Sequence, residues 1–134
     1  MNYTFYNRLL IIAGFLGVVG VVTGAFGAHF LKERIDIIHM NALKTGVLYL
    51  FIHTLGLVGV SILGKGDPDS RILKSVALTF VTGILLFSGS LFLIATQSLT
   101  SFPARYIGFL TPMGGLCFIA GWVLMMVYGF SKKS

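Results

Sequence analysis

Of the side chains in this sequence that could move a proton or hold a ligand, His53 is set within an apolar run, 46–64, that carries no charged residue. A neutral imidazole has one hydrogen-bond donor and one acceptor, and an ionisable group in hydrocarbon often marks an ion or substrate path. Tyr49 lies one helical turn before it, Ser88 and Ser90 fall in a later apolar run, and Thr111 in the last. If one membrane surface lies near residues 29, 45, 96 and 105, a rise of 1.5 Å per residue puts Tyr49 ~6 Å deep, His53 and Ser88 ~12 Å, and Ser90 and Thr111 ~9 Å. His29 then closes this candidate polar layer at the surface. Polar side chains at matched depth on three helices most simply bond one another, at roughly 0.6–2 kcal/mol per pair. The competing reading is a small cavity with His53 as its ionisable member. In either case His53 is expected to meet Ser88, Ser90 or Thr111, near a carbonyl of Gly108 that Pro112 leaves without its usual donor.

The same residue types argue against other chemistries. All four acids, Glu33, Asp36, Asp67 and Asp69, lie in connections, so a carboxylate-based transport mechanism has no membrane-embedded group to use, and proton coupling would rest on His53 alone. No serine–histidine–acid or metal-ligand spacing is present, and neither an enzyme, a cofactor nor a metal site is predicted. His29 and His53 differ in depth by ~12 Å, which makes joint ligation of one haem iron awkward. His39 and Asn41 sit in a connection, where a solvated role suits them. Cys117 is the single cysteine, so no internal disulfide forms.

The elements that must position these groups follow from composition. The 134 residues are 56% hydrophobic and only 10% charged, with a mean hydropathy of +0.93, against about 25% charged in soluble domains. Four apolar runs reach or exceed the ~18 residues needed to span a bilayer, predicting one all-α domain over 1–134, a bundle of four transmembrane helices at about 9–29, 46–64, 72–95 and 105–130. The first run is too long for the apolar core of a signal peptide and is expected to be retained. A net charge of +6 reflects basic residues scattered through connections, which gives nucleic acid no patch to bind.

On the first helix, Gly17, Gly20, Gly24 and Ala28 recur every three or four residues and leave a flank that another helix can approach closely. The connection 30–44 has Leu31, Ile35, Ile38 and Ala42 at helical spacing, with Asp36 as a capping residue; it forms either a short amphipathic helix at the interface or an extension of helix 2. Asp67 is placed to cap a helix beginning at Pro68, and 96–102 reads as a polar turn before Pro103. Within the last helix, Pro112, Gly114 and Gly115 predict a break. Tyr3, Phe5 and Tyr6 fall at the interface level. An even number of spans puts both termini and the connection between helices 2 and 3 on one side. That side carries Arg8, Lys65, Arg71, Lys74, Lys132 and Lys133, against Lys32, Arg34, Lys44 and Arg105 on the other. The excess favours cytoplasmic termini.

Four ordered motifs carry a resemblance: Gly24-Ala-Phe-Gly-Ala-His29; Thr45-Gly-Val-Leu-Tyr49 with His53-Thr-Leu; Phe87-Ser-Gly-Ser-Leu91; and Thr111-Pro-Met-Gly-Gly115 with Ala120-Gly-Trp122. Together, over about residues 9–128, they resemble the small bacterial membrane family catalogued as domain-of-unknown-function family 423, which is similar to the animal transmembrane protein 256 group. The resemblance implies a four-span protein with no assigned activity and no catalytic residues to carry over. The connection 30–44 departs most from the family pattern. The expected protein is a multi-pass, non-enzymatic component of the cell membrane, structural, accessory or homo-oligomeric, in contact with the lipid bilayer. The alternative is a small homo-oligomeric transporter or channel built around the His53 layer.

Overall fold

In the computed structural model, which describes residues 4–101 and 103–132, four helices are long and apolar enough to cross a membrane: α1 Phe5–Leu31, α2 Ile37–Gly66, α3 Arg71–Ala95 and α4 Leu110–Ser131. Tyr3, Phe102 and Lys133 lie outside the described residues. Side chains satisfy the free N–H groups at three helix starts: Thr4 accepts from Asn7 at 3.3 Å, Asp36 from His39 at 2.9 Å, and Ser70 from Leu73 at 3.3 Å. Ser70, rather than Asp67, therefore caps α3, and Asp67 belongs to the turn before it.

The structure resolves the connection before helix 2. Residues 37–45 are the first turns of α2, whose 30 residues make it about 45 Å long, longer than the ~30 Å hydrocarbon core. The amphipathic stripe is corrected, because the turn before Asp36 resets the helical phase. Leu31 is buried, but Ile38 is exposed, and Met40 and Leu43 turn inward to meet Leu31 and Ala95.

α1 lies along α2, α3 packs on α2, and α4 packs on α3. The main core gathers Leu50, Leu57 and Val60 of α2 with Leu73, Val76 and Phe80 of α3. On α1 the seam runs through Tyr6, Ala13, Gly20 and Gly27, all buried and spaced seven residues apart, the repeat that keeps one edge against a partner helix. A Cβ at Gly20 would stand 2.8 Å from the Phe51 ring, and one at Gly27 would overlap Leu43. The stripe read from sequence is thus half right in position. A Cβ at Gly24 would stand at an ordinary 3.7 Å from Val47, and one at Gly17 would meet nothing within 4 Å; Ala28 is exposed.

The closest backbone approach is between α3 and α4. α3 contains a π turn, Ile84–Ser88, a widened turn holding one residue more than the α-helix allows. It sets Phe87 against Gly114, where an added Cβ would meet the backbone nitrogen of Phe87 and lie 2.9 Å from its Cα. A Cβ added at Gly115 would stand at ordinary contact distance, 3.9 Å, from the Phe87 ring. The predicted break at Pro112 is not there, because α4 begins at Leu110, after a 3-10 turn at Ala104–Tyr106. Pro112 falls in the first turn, where its missing N–H would have had no partner in any case. The polar turn after α3 contains a short helical segment, Gln97–Thr100.

At the other end of the bundle, the Tyr6 hydroxyl donates to the Asp67 carbonyl at 3.4 Å, and Lys132 pairs with the Asp67 carboxylate at 2.8 Å. That carboxylate holds the Lys132 ammonium pKa above its ordinary value. The start of α1, the α2–α3 turn and the end of α4 thus meet on one side.

Packing ranks the glycines. Gly114→Ala should destabilise by ~1–3 kcal/mol, because a backbone cannot yield as a side chain can. Gly20→Ala should cost less, since Phe51 can turn, and Gly17→Ala should melt with the wild type. Thermal unfolding in detergent reads the order, and an undisturbed Gly114→Ala would refute the α3–α4 contact.

Candidate functional site

His53 sits where α2 is buried on both sides of the helix turn, between Leu50 and Leu57, and is only 2% exposed. Its ring lies flat on Phe118, with centroids 3.4 Å apart and planes 9° from parallel. Phe80 meets it edge-on at 5.2 Å, and Tyr49 lies at 5.9 Å. Nδ1 is 2.7 Å from the backbone carbonyl of Tyr49, one turn earlier, and Nε2 is 3.0 Å from Nε1 of Trp122 on α4. An indole nitrogen can only donate and a carbonyl can only accept, so Nε2 must be the bare nitrogen and Nδ1 must carry the proton. The geometry selects one neutral tautomer and commits both nitrogens.

The hydroxyls do not join His53. Ser90 donates to the Phe87 carbonyl at 2.9 Å and lies 2.7 Å from Thr111; its single proton is spent on the carbonyl, so Thr111 is the donor in that pair. Ser88 donates to the Gly46 carbonyl at 2.8 Å. Ser61 of α2, which the sequence reading passed over, donates to the Tyr6 carbonyl at 2.7 Å. The expected single cluster is therefore corrected to separate contacts, each joining a different pair of helices. The buried Thr54 hydroxyl, by contrast, has no partner among the described residues.

Ser90 and Thr111, which the residue count set at one depth, bond each other. His53 instead meets Trp122, further along α4 than Thr111. Trp122 is the partner that the depth count missed, although the chain's one indole, a donor needing an acceptor in hydrocarbon, was a usable signal.

His29 lies exposed in the π turn Gly27–Leu31 that closes α1, away from the buried contacts. His39 sits between the Asp36 carboxylate, 2.8 Å from Nδ1, and the Gln97 amide, 2.6 Å from Nε2, and so ties the start of α2 to the segment after α3. The His39 N–H groups hold the Asp36 carboxyl below its ordinary value. Between α2 and α4 a groove of about 350 Å³ is bordered by Tyr49, Ile52, His53, Ile119 and Trp122. Among the described residues no three histidines, cysteines or acids stand together to hold a metal ion.

Comparison with known proteins matches residues 23–115 to the family described as "Protein of unknown function (DUF423)". The UPF0382 inner membrane protein YgdD of Escherichia coli K12 is 36% identical, over 93% of this chain and 91% of its own length. A UPF0382 membrane protein of Staphylococcus haemolyticus is 36% identical over 92% of this chain and 96% of its own, and YwdK of Bacillus subtilis 32% over 90% and 94%. No solved structure matches the chain.

Removing one partner from the His53–Trp122 bond should be felt. Trp122→Phe leaves Nε2 without a donor and should cost roughly 0.6–2 kcal/mol; His53→Gln, which retains a donor and an acceptor, should be tolerated better than His53→Leu. Thermal unfolding of the three variants measures this, and a Trp122→Phe protein that melts with the wild type would show that the bond holds nothing together.

Proposed function

The chain belongs to the DUF423 family of multi-pass membrane proteins, whose biochemical function is unassigned, and from that premise we propose that it is a non-catalytic membrane component, structural or accessory and able to self-associate. One observation carries this reading: both nitrogens of His53, a buried ionisable group of α2, are already committed to Tyr49 and Trp122. A proton carrier needs a nitrogen that can gain or lose its proton towards a neighbour in the path. The contacts Ser61–Tyr6, Ser88–Gly46 and Ser90–Thr111 support the same reading, since each ties two helices and none passes to the next. The apolar residues facing outward from all four helices, among them Phe15, Leu55, Leu85 and Leu116, suit contact with lipid or with other spans.

A second reading is favoured by the groove beside His53. In it, a homo-oligomer would use the aromatic-lined space as part of a transport path, and His53 would exchange partners during transport.

For orientation, we take the termini as cytoplasmic, from the excess of basic residues on the side where Tyr6, Asp67 and Lys132 meet. The name of the Escherichia coli relative, an inner membrane protein, supports the cytoplasmic membrane as its location here.

Two experiments test these statements. In proteoliposomes, proton and small-cation flux should equal that of empty vesicles for wild type and His53→Gln alike; flux that His53→Gln and His53→Leu both abolish, with the fold intact, would favour the transport reading. A reporter fused after Ser134 should be active only in the cytoplasm, and activity only outside it would reverse the orientation.

A further inference from the structure

We propose that the end of the bundle opposite the termini holds an anionic phospholipid, with its phosphate between Lys32 and Lys44 and one acyl chain in the groove between α1 and α2. Two adjoining cavities, of about 300 and 450 Å³, share Ala28, Met40 and Lys44, and each lies within the ~300–1,000 Å³ range of ligand sites. The first is almost wholly apolar and is walled on α2 by Val47, Leu48 and Phe51. Lys32 lines the second.

Depth matches an amphiphile. Lys32 directly follows the last residue of α1, and Lys44 directly precedes the apolar part of α2 that begins near Gly46. Both ammonium groups therefore reach headgroup level, with their methylene stems along the apolar wall, while Val47 and Phe51 lie in hydrocarbon. Charge is equally one-sided. No carboxylate borders either cavity, and the ion pairs among the described residues, Asp36–His39 and Asp67–Lys132, use neither lysine. Glu33 follows Lys32 but borders neither space. A phosphate that keeps its net negative charge complements this rim, whereas the choline of a zwitterionic lipid would cancel it. A second copy of the chain would bring its own pair of lysines to the rim, which disfavours it as the occupant. This goes beyond the non-catalytic reading above and stands whether or not that reading holds.

The test is native mass spectrometry of the purified full chain in detergent with equimolar phosphatidylglycerol and phosphatidylcholine. The wild type should retain phosphatidylglycerol in preference. Lys32→Gln/Lys44→Gln should lower retention roughly 30-fold, about fivefold for each lysine at a charged membrane surface, with an unchanged melting temperature. Gly24→Leu, which has room for its Cβ beside Val47 and projects into the groove, should also lower it, and Arg105→Gln, a charge on the same membrane side, should not. Excess glycerol phosphate should fail to displace the lipid. Equal retention of phosphatidylcholine, retention unchanged in the double variant, complete displacement by glycerol phosphate, which would mark a free-anion site, or a dimer without lipid would each overturn the proposal.

Discussion

A hydrogen-bond donor in hydrocarbon has no water to turn to, and leaving it unpaired costs several kcal/mol. The indole N–H of Trp122 meets that constraint with one acceptor, Nε2 of His53, 3.0 Å away, and the acceptor exists only because Nδ1 gives its proton to the Tyr49 carbonyl at 2.7 Å. The bond spans α2 and α4, which otherwise face each other across a groove rather than in close backbone contact. Phe118, stacked on the imidazole, and Phe80, edge-on to it, fix the ring plane, so the bond depends on aromatic packing as well as on its own partners.

Close packing provides the remaining contacts. α1 reaches α2 at Ala13, Gly20 and Gly27, which have little or no side chain, and α3 reaches α4 where a π turn brings Phe87 onto Gly114. Lipid supplies no hydrophobic force to press helices together, so their association depends on such approach and on the few polar bonds between them. The Ser61, Ser88 and Ser90 hydroxyls serve that purpose. Each finds a partner across a different helix pair, and the bundle is stitched at several levels rather than around one polar centre.

Apolar length made the four spans and their all-α character legible in the sequence, and the Asp36 cap was legible because its side chain is the right type before an apolar run. Three features were not. The seam on α1 follows a seven-residue line through Gly20 and Gly27, but glycines and alanines are so frequent there that Gly17 and Ala28 offered an equally plausible line. The start of α4 was hidden because Tyr106, Ile107 and Phe109 extend the apolar run towards Pro103, yet fold as turns. Beside His53 the partner is Trp122, while Thr111 bonds Ser90. The π turns leave no compositional trace, since the extra residue in each is specified by the packing around it. The candidate hydroxyls were thus identified as interhelical groups, and Ser90 and Thr111 shared a counted depth, while the partner of Ser88 is a backbone carbonyl of α2 that no residue type marks.

His53 as a neutral tie between α2 and α4 is read directly by nitrogen-15 NMR of histidine-labelled protein in bilayers at neutral pH. His53 should carry a proton on Nδ1 alone, with an unprotonated Nε2 whose resonance shifts in Trp122→Phe. A cationic ring, or a proton on Nε2, would contradict it, because either form would set an N–H against the indole N–H of Trp122.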